Sequence, residues 1–279
     1  MGEPFDSYNE KARSPVVVTV PHAGRDYPTD LADRLAVPFD RIRPLEDRYA
    51  DLLVEGVVAA GYPVLVARTP RLMIDLNRGE TDFTVAAVSG ARSPAPRPSH
   101  RARGGLGLVP DRLGTTQLWK APTKASDLAQ RLAHIHRPWH VAVTAALSKA
   151  RARHGCAVLI DIHSMPPLLG QQAAQVVIGD RHGASAKPDV MAAAADVFRA
   201  EGLRVALNAP YAGAYILERH GAPAQGISAL QIEVDRQLYL DAALDRPGPG
   251  PTAMGRILVR LAERLATLEP TAEWLLAAE

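Results

Sequence analysis

Ala157-Val158-Leu159-Ile160-Asp161-Ile162-His163-Ser164 decides the fold. Its nearly unbroken apolar run begins just after Gly155. That run has the length and composition of a strand covered on both faces, as strands of parallel sheets are. Similar short runs on either side alternate with helical patterns. Val16–Val20 reads as a strand stopped by Pro21, Tyr49–Ala60 as a helix closed by Gly61, and Pro63–Ala67 as the next strand. Arg71–Leu76, Gln175–Ile178, Leu203–Leu207 and Ala229–Val234 are further strand candidates. Helices are expected over Ser126–Arg153, kinked at Pro138, over Pro188–Glu201, and over Thr252–Leu268 with another turn or two beyond it. This alternation is the habit of βα units and predicts an α/β fold, a mixed but mostly parallel sheet flanked by helices. One domain over residues 1–279 is expected, with 79–114, rich in Gly, Pro, Ser and Arg, as a long loop covering a substrate.

Composition narrows the function. Hydrophobic residues make up 47% and charged residues 22%, so the chain can bury a core and lacks the signature of disorder. With 32 basic against 30 acidic residues there is no field to draw it onto nucleic acid or anionic lipid, which leaves small molecules as partners. No stretch approaches the roughly 18 to 20 apolar residues of a membrane span, and the first residues lack a signal-peptide core, so a cytoplasmic location is expected. Cys156 is the single cysteine, which excludes an intramolecular disulfide and a cysteine-rich zinc site. Any metal must be held by His and carboxylate.

Several apolar strands finish in polar side chains that a plain core would not need. His22 follows Val18-Thr19-Val20-Pro21, and His163 follows Asp161-Ile162. Open α/β sheets bind ligands at the carboxyl ends of their strands, so the two imidazoles are placed to share a site. A catalytic zinc takes a third protein ligand, often a carboxylate. Asp47 is the choice here, with Glu46 as the alternative, although Asp47 alone reads equally well as a helix N-cap. Asp161 faces the same way as His163 and can orient it. Asn77 and Arg78 suit a substrate carboxylate, and Glu233 suits a general base, unless Arg236 merely pairs with it.

Pro21-His22-Ala23-Gly24, Glu46-Asp47-Arg48, Asp75-Leu76-Asn77-Arg78, Asp161-Ile162-His163-Ser164-Met165-Pro166, Gly179-Asp180-Arg181, Asn208-Ala209-Pro210-Tyr211-Ala212-Gly213 and Gln231-Ile232-Glu233 occur in this order. Together they resemble the N-formylglutamate amidohydrolase family, from about Val16 to Asp241. The resemblance implies a zinc-carboxypeptidase-like (phosphorylase/hydrolase-like) fold related to aspartoacylase. It implies one zinc ion and hydrolysis of N-formyl-L-glutamate to formate and L-glutamate in histidine breakdown. It makes His22 and His163 ligands, Asn77 and Arg78 the carboxylate clamp, and Glu233 the catalytic carboxylate. The carboxypeptidase relatives place a Glu three residues after the first ligand, where this chain has Arg25, so the acidic ligand is sought in Asp47. Arg103 in the arginine-rich loop is added to the substrate contacts, and Asp161 and Ser164 to the groups supporting the ligands. Two rivals stay open at this stage: a non-catalytic binder of acidic N-acyl metabolites, and an iron oxygenase using two His and one carboxylate. Oligomeric state is not legible.

Overall fold

The computed structural model describes residues 3–90 and 98–268. Among them the chain gathers into two compact units, neither continuous in sequence. One takes residues 7–20, 48–66 and 142 onward; the other takes 21–47, 67–141 and the residues before Ser7.

A seven-stranded sheet dominates. Its strands are β1 (Phe5–Tyr8), β2 (Val16–Val20), β3 (Val64–Ala67), β4 (Ala157–Met165), β5 (Val176–Gly179), β6 (Val205–Leu207) and β7 (Ile227–Asp235), in the order β1-β3-β2-β4-β7-β5-β6. The pairs β2–β3, β2–β4, β4–β7 and β5–β6 are parallel and β7–β5 is antiparallel, the mixed and mostly parallel sheet that the alternation predicts. Every residue of β4 is buried, as its apolar run demands.

Three long helices are α1 (Arg137–His154), α2 (Pro188–Ala200) and α3 (Pro251–Ala266). Proline opens both α2 and α3, where its missing N–H costs no hydrogen bond. The buried stripe Met254, Ile257, Leu258, Leu261 and Leu265 on α3 repeats at helical spacing. Gly56 and Gly255 let α3 come close to the helical segment expected at Tyr49–Ala60. That segment is a 3-10 turn, Ala50–Val54, running into a short α-helix, Glu55–Ala59. Tyr49 before it takes a left-handed backbone (φ 56°), which delays the helix start.

Two motifs explain each other in the connections of this unit. A Cβ at Gly179 would lie 2.5 Å from the carbonyl carbon of Ala212, so only glycine lets these backbones meet. Asn208 then ties the turn, its Oδ1 accepting from the backbone N–H of Asp180 and its Nδ2 donating to Asp180 Oδ1 (2.8 Å).

The second unit departs more from expectation. Arg71–Leu76 is a series of turns rather than a strand. Met73 N–H bonds Pro70 O, Arg78 N–H bonds Asp75 O, and the Asp75 side chain accepts from Asn77 N–H at 2.8 Å. A short carboxylate that captures the backbone two residues on competes with strand pairing. The expected 79–114 loop is irregular over most of its described residues, 91–97 lying beyond them, but it carries short regular pieces and a packed core. Val88–Ser89 pairs with Thr123–Lys124, and His100–Arg103 forms a helical turn capped by Ser99. Phe83, Ala87, Val88, Leu108 and Val109 pack with Ile74 and Leu128 in a small core. Those few apolar side chains anchor a segment whose Gly and Pro content reads as loop. The expected Ser126–Arg153 helix is interrupted by a π-helical turn, Leu132–His136, between Ala125–Arg131 and α1. Pro138, which lacks the N–H of a regular helix, lies just beyond it. The C-terminal turns expected after Leu268 lie outside the described residues. No helix among the described residues is long and apolar enough to cross a membrane.

His220 ends the short helix Tyr215–His220, buried, with Nδ1 3.5 Å from Thr144 Oγ1. Burial, aided by the charge of Arg219, pushes its pKa down to about 4. The unfolded chain therefore takes up a proton near pH 6.5 that the folded chain refuses until about pH 4. Stability from this group is complete above pH 6.5 and is lost as pH falls toward 4, by at most on the order of 3 kcal/mol. Urea unfolding of His220→Gln at pH 7 and pH 5 is expected to show a shallower loss than the parent chain; equal losses would refute the assignment.

Candidate metal centre

His22 stands just past β2, where Pro21 ends the strand. Its loop is shaped by Gly24, whose added Cβ would fall 2.2 Å from the carbonyl oxygen of Thr69. Asp26 N–H bonds Arg68 O alongside, so residues 22–26 lie tight against 68–69. Asp47 arrives by a backbone bond, its N–H donating to His22 O at 3.0 Å. It is no helix cap: the helical turn starts at Ala50, and the preceding Tyr49 provides no side-chain cap. Asp47 Oδ2 instead lies 3.5 Å from His22 Nδ1.

The other ring nitrogen of His22 fixes the tautomer. Nε2 lies 2.7 Å from Asp75 Oδ1, and a hydrogen bond donated there leaves the lone pair on Nδ1. Asp75 is wholly buried and also accepts from Arg71 Nε at 2.8 Å, with Arg78 Nε 3.9 Å away. Burial alone would raise its pKa, but Arg71, His22 and Arg78 hold it well below the usual carboxylate range.

On the sheet, His163 Nε2 lies 2.9 Å from Asp161 Oδ2, while Thr19 Oγ1 donates to Asp161 Oδ1 at 2.6 Å. Thr19 is the register partner of Asp161 on β2, and Glu233 is that of His163 on β7, so these side chains share one face. Gln231 Nε2 donates to Glu233 Oε1 at 2.8 Å, which steadies that carboxylate. Ser164 corrects an expectation. One residue beyond His163, it belongs to the opposite face, and its Oγ accepts from Arg236 Nε at 3.1 Å. The support for His163 comes from Asp161.

His22, Asp47 and His163 are all buried, and each offers one ligand atom, all within 4.8 Å of one another. Two imidazoles and one carboxylate form the donor set of many catalytic divalent-metal sites. Ligands about 2.0 to 2.1 Å from a tetrahedral ion stand about 3.4 Å apart, close to the His22–Asp47 separation. The residues present fit such an ion. Glu46, the alternative carboxylate, instead accepts from Tyr27 Oη at 2.5 Å.

Arg78 is buried, and its guanidinium donates to Leu106 O (3.0 Å) and Asn77 O (2.6 Å). Burial lowers its pKa, partly offset by Asp75. The backbone around it is gripped from the interrupted helix: Arg131 Nη1 donates to Met73 O (2.7 Å), His140 Nε2 to Leu76 O (3.1 Å) and His136 Nε2 to Arg78 O (2.8 Å). Arg103 is exposed and donates to Pro98 O at 2.5 Å. Sequence reasoning gave no role to Asp75 as the partner of His22, nor to Thr19, Arg71, His136 or His140. The available signal was a carboxylate and two histidines amid apolar neighbours.

The sheet and the His–His–Asp group define an α/β protein with a donor set suited to a divalent metal. The model of the family N-formylglutamate amidohydrolase matches residues 14–240, and the chain belongs to that family. The N-formylglutamate deformylase of Pseudomonas aeruginosa is 27% identical over 241 residues, covering 83% of this chain and 84% of its own. The deformylase of Pseudomonas putida is 29% identical over 240 residues, with the same coverage. The crystal structure of N-formylglutamate amidohydrolase from Ralstonia eutropha JMP134 superposes with a TM-score of 0.86 at 30% identity, covering 94% of this chain and 97% of that one.

Gly24→Ala is expected to destabilise the protein by about 1 to 3 kcal/mol, because backbone must move to admit the methyl group. Thermal melting would show this, and an unshifted melt would mean that the 68–69 segment yields freely.

Proposed function

We propose that this protein hydrolyses N-formyl-L-glutamate to formate and L-glutamate. The observation that carries the reading is the buried His22–Asp47–His163 group, with Nε2 of each imidazole directed at a buried carboxylate and Glu233 in register with His163. Family membership and the deformylase relatives support the same substrate. Zinc is the ion we propose, in a single family domain spanning both units; histidine breakdown in the cytoplasm is the proposed setting.

The chemistry a divalent ion supplies in such a set is Lewis acidity, which polarises a carbonyl and acidifies water. Asp75 and Asp161 hold the two imidazoles in the tautomer that presents Nδ1. Glu233 accepts a proton from the attacking water and returns it to the departing amide nitrogen. Gln231, donating to one oxygen of Glu233, directs the other toward that work. Arg78 and Asn77 bind a substrate carboxylate; the buried guanidinium attracts an anion more strongly than an exposed one would. Arg103 must turn away from Pro98 to add a second contact as the 79–114 segment covers the substrate.

Glu233→Gln should retain metal and substrate binding while turnover falls by at least about 10²-fold. Steady-state assay with N-formylglutamate checks this, and near-normal turnover removes Glu233 from the mechanism. Chelation should abolish hydrolysis and zinc restore it; activity that survives complete metal removal refutes the metal reading. Asp75→Asn is expected to weaken metal affinity by about 10- to 100-fold, measured by competition with a chromophoric chelator. Unchanged affinity would show that His22 is oriented without it.

A further inference from the structure

A cavity of about 830 Å³ opens within the second unit, and neither His22, Asp47 nor Arg78 lines it. Arg131 does, at the end of Ala125–Arg131, 8% exposed, and so do Arg34, Asp127, His134, Met73 and Ile135. Among the described residues no carboxylate comes within ion-pair distance of Arg131, and one of its five N–H donors is used, on Met73 O. A buried charge ordinarily requires a partner, and so do its N–H groups. Its immediate charged neighbours add to the demand. Burial and the nearby charge of Arg34 press the Arg131 pKa down to about 10, with Asp127 opposing them more weakly, so the guanidinium remains charged at neutral pH. Arg34 is paired loosely with Asp30 at 3.7 Å and lies over the Trp119 ring at 5.5 Å, whereas Arg68 at the same cavity is taken by Asp26 at 2.8 Å.

We propose that this cavity binds a small organic carboxylate, seated on the guanidinium of Arg131 with Arg34 beside it. A planar fork with unused parallel donors matches a carboxylate in two-point contact. Glu3, Asp26 and Asp127 also line the cavity and limit the negative charge it accepts, which favours a singly charged carboxylate group over a doubly charged phosphate. Met73 and Ile135 supply apolar wall for a short carbon chain. The π-helical turn between Arg131 and α1 brings His134 to the same cavity, and such turns recur at functional sites.

Calorimetric titration of the full-length, metal-loaded protein with succinate, and separately with inorganic phosphate, tests the site. The Arg78→Gln protein, in which the proposed substrate clamp is broken, should still bind one equivalent of succinate. Adding Arg131→Gln to it should weaken that binding at least about tenfold. Arg34→Gln, at a partly exposed position, serves as the second variant and should weaken it in the same direction. Turnover of the Arg131→Gln single variant with N-formylglutamate reports on the clamp separately. Succinate binding unchanged in both arginine variants, no binding once Arg78 is replaced, or preference for phosphate over succinate would each overturn the proposal.

Discussion

The bond between Asp75 and His22 is the constraint on which the second unit is organised. One buried carboxylate accepts from the imidazole, from Arg71 and from the backbone N–H of Asn77. Ionised and enclosed, it would be costly alone, and three cationic or hydrogen-bonding neighbours make it tolerable. The same contacts bend the chain at 75–78, which is why Arg78 leaves the turn beside it. Removing the carboxylate would therefore release a histidine tautomer, an arginine and a backbone turn at once.

Histidine orientation is achieved twice by different local means. Asp161 reaches His163 because residues two apart on a strand share a face; Asp75 reaches His22 through a turn 53 residues away in sequence. That difference governs what could be read from sequence. The Asp161-Ile162-His163 spacing carries its geometry in the strand period, so both the pairing and the face were legible. Asp75-Leu76-Asn77-Arg78 has the composition of a strand ending in polar residues, and strand was the wrong expectation, because a side chain competing for its own backbone leaves no periodic trace. The sheet was legible for the converse reason: β-branched runs buried on both faces admit few other structures. Ser164 shows the cost of reading a motif as a block, since adjacent strand residues face opposite ways.

The 79–114 segment was legible in its backbone but not in its packing. Its Gly and Pro content predicts irregular backbone, and its described residues are largely irregular, but Phe83, Leu108 and Val109 are core residues with no period to betray them. A segment held by sparse apolar anchors keeps a defined path without regular hydrogen bonding, and Leu108 O accepts from Asp75 N–H at 2.8 Å as a result. The loop thus fixes the turn that bears Arg78, in addition to any covering role.

The interrupted helix completes this frame. Arg131, His136 and His140 reach three carbonyls of 73–78, and a regular helix would not serve all three equally. Positions 136 and 140 are one α-helical turn apart and address the carbonyls of Arg78 and Leu76, two residues apart, whereas Arg131 lies before the π turn and addresses Met73. An added residue per turn rotates the preceding helix relative to the following one by roughly 100°. The widened turn therefore resets the face on which Arg131 emerges, and Pro138 lies where that irregularity is tolerated. An imidazole can donate to a carbonyl without carrying a charge, so His136 and His140 grip the segment without requiring a fixed cation beside Arg78, whose guanidinium already suffers from burial. A lysine in either place would add a fixed cation to those of Arg71 and Arg101, which already act against the Arg78 charge, so histidine supplies the grip without that cost.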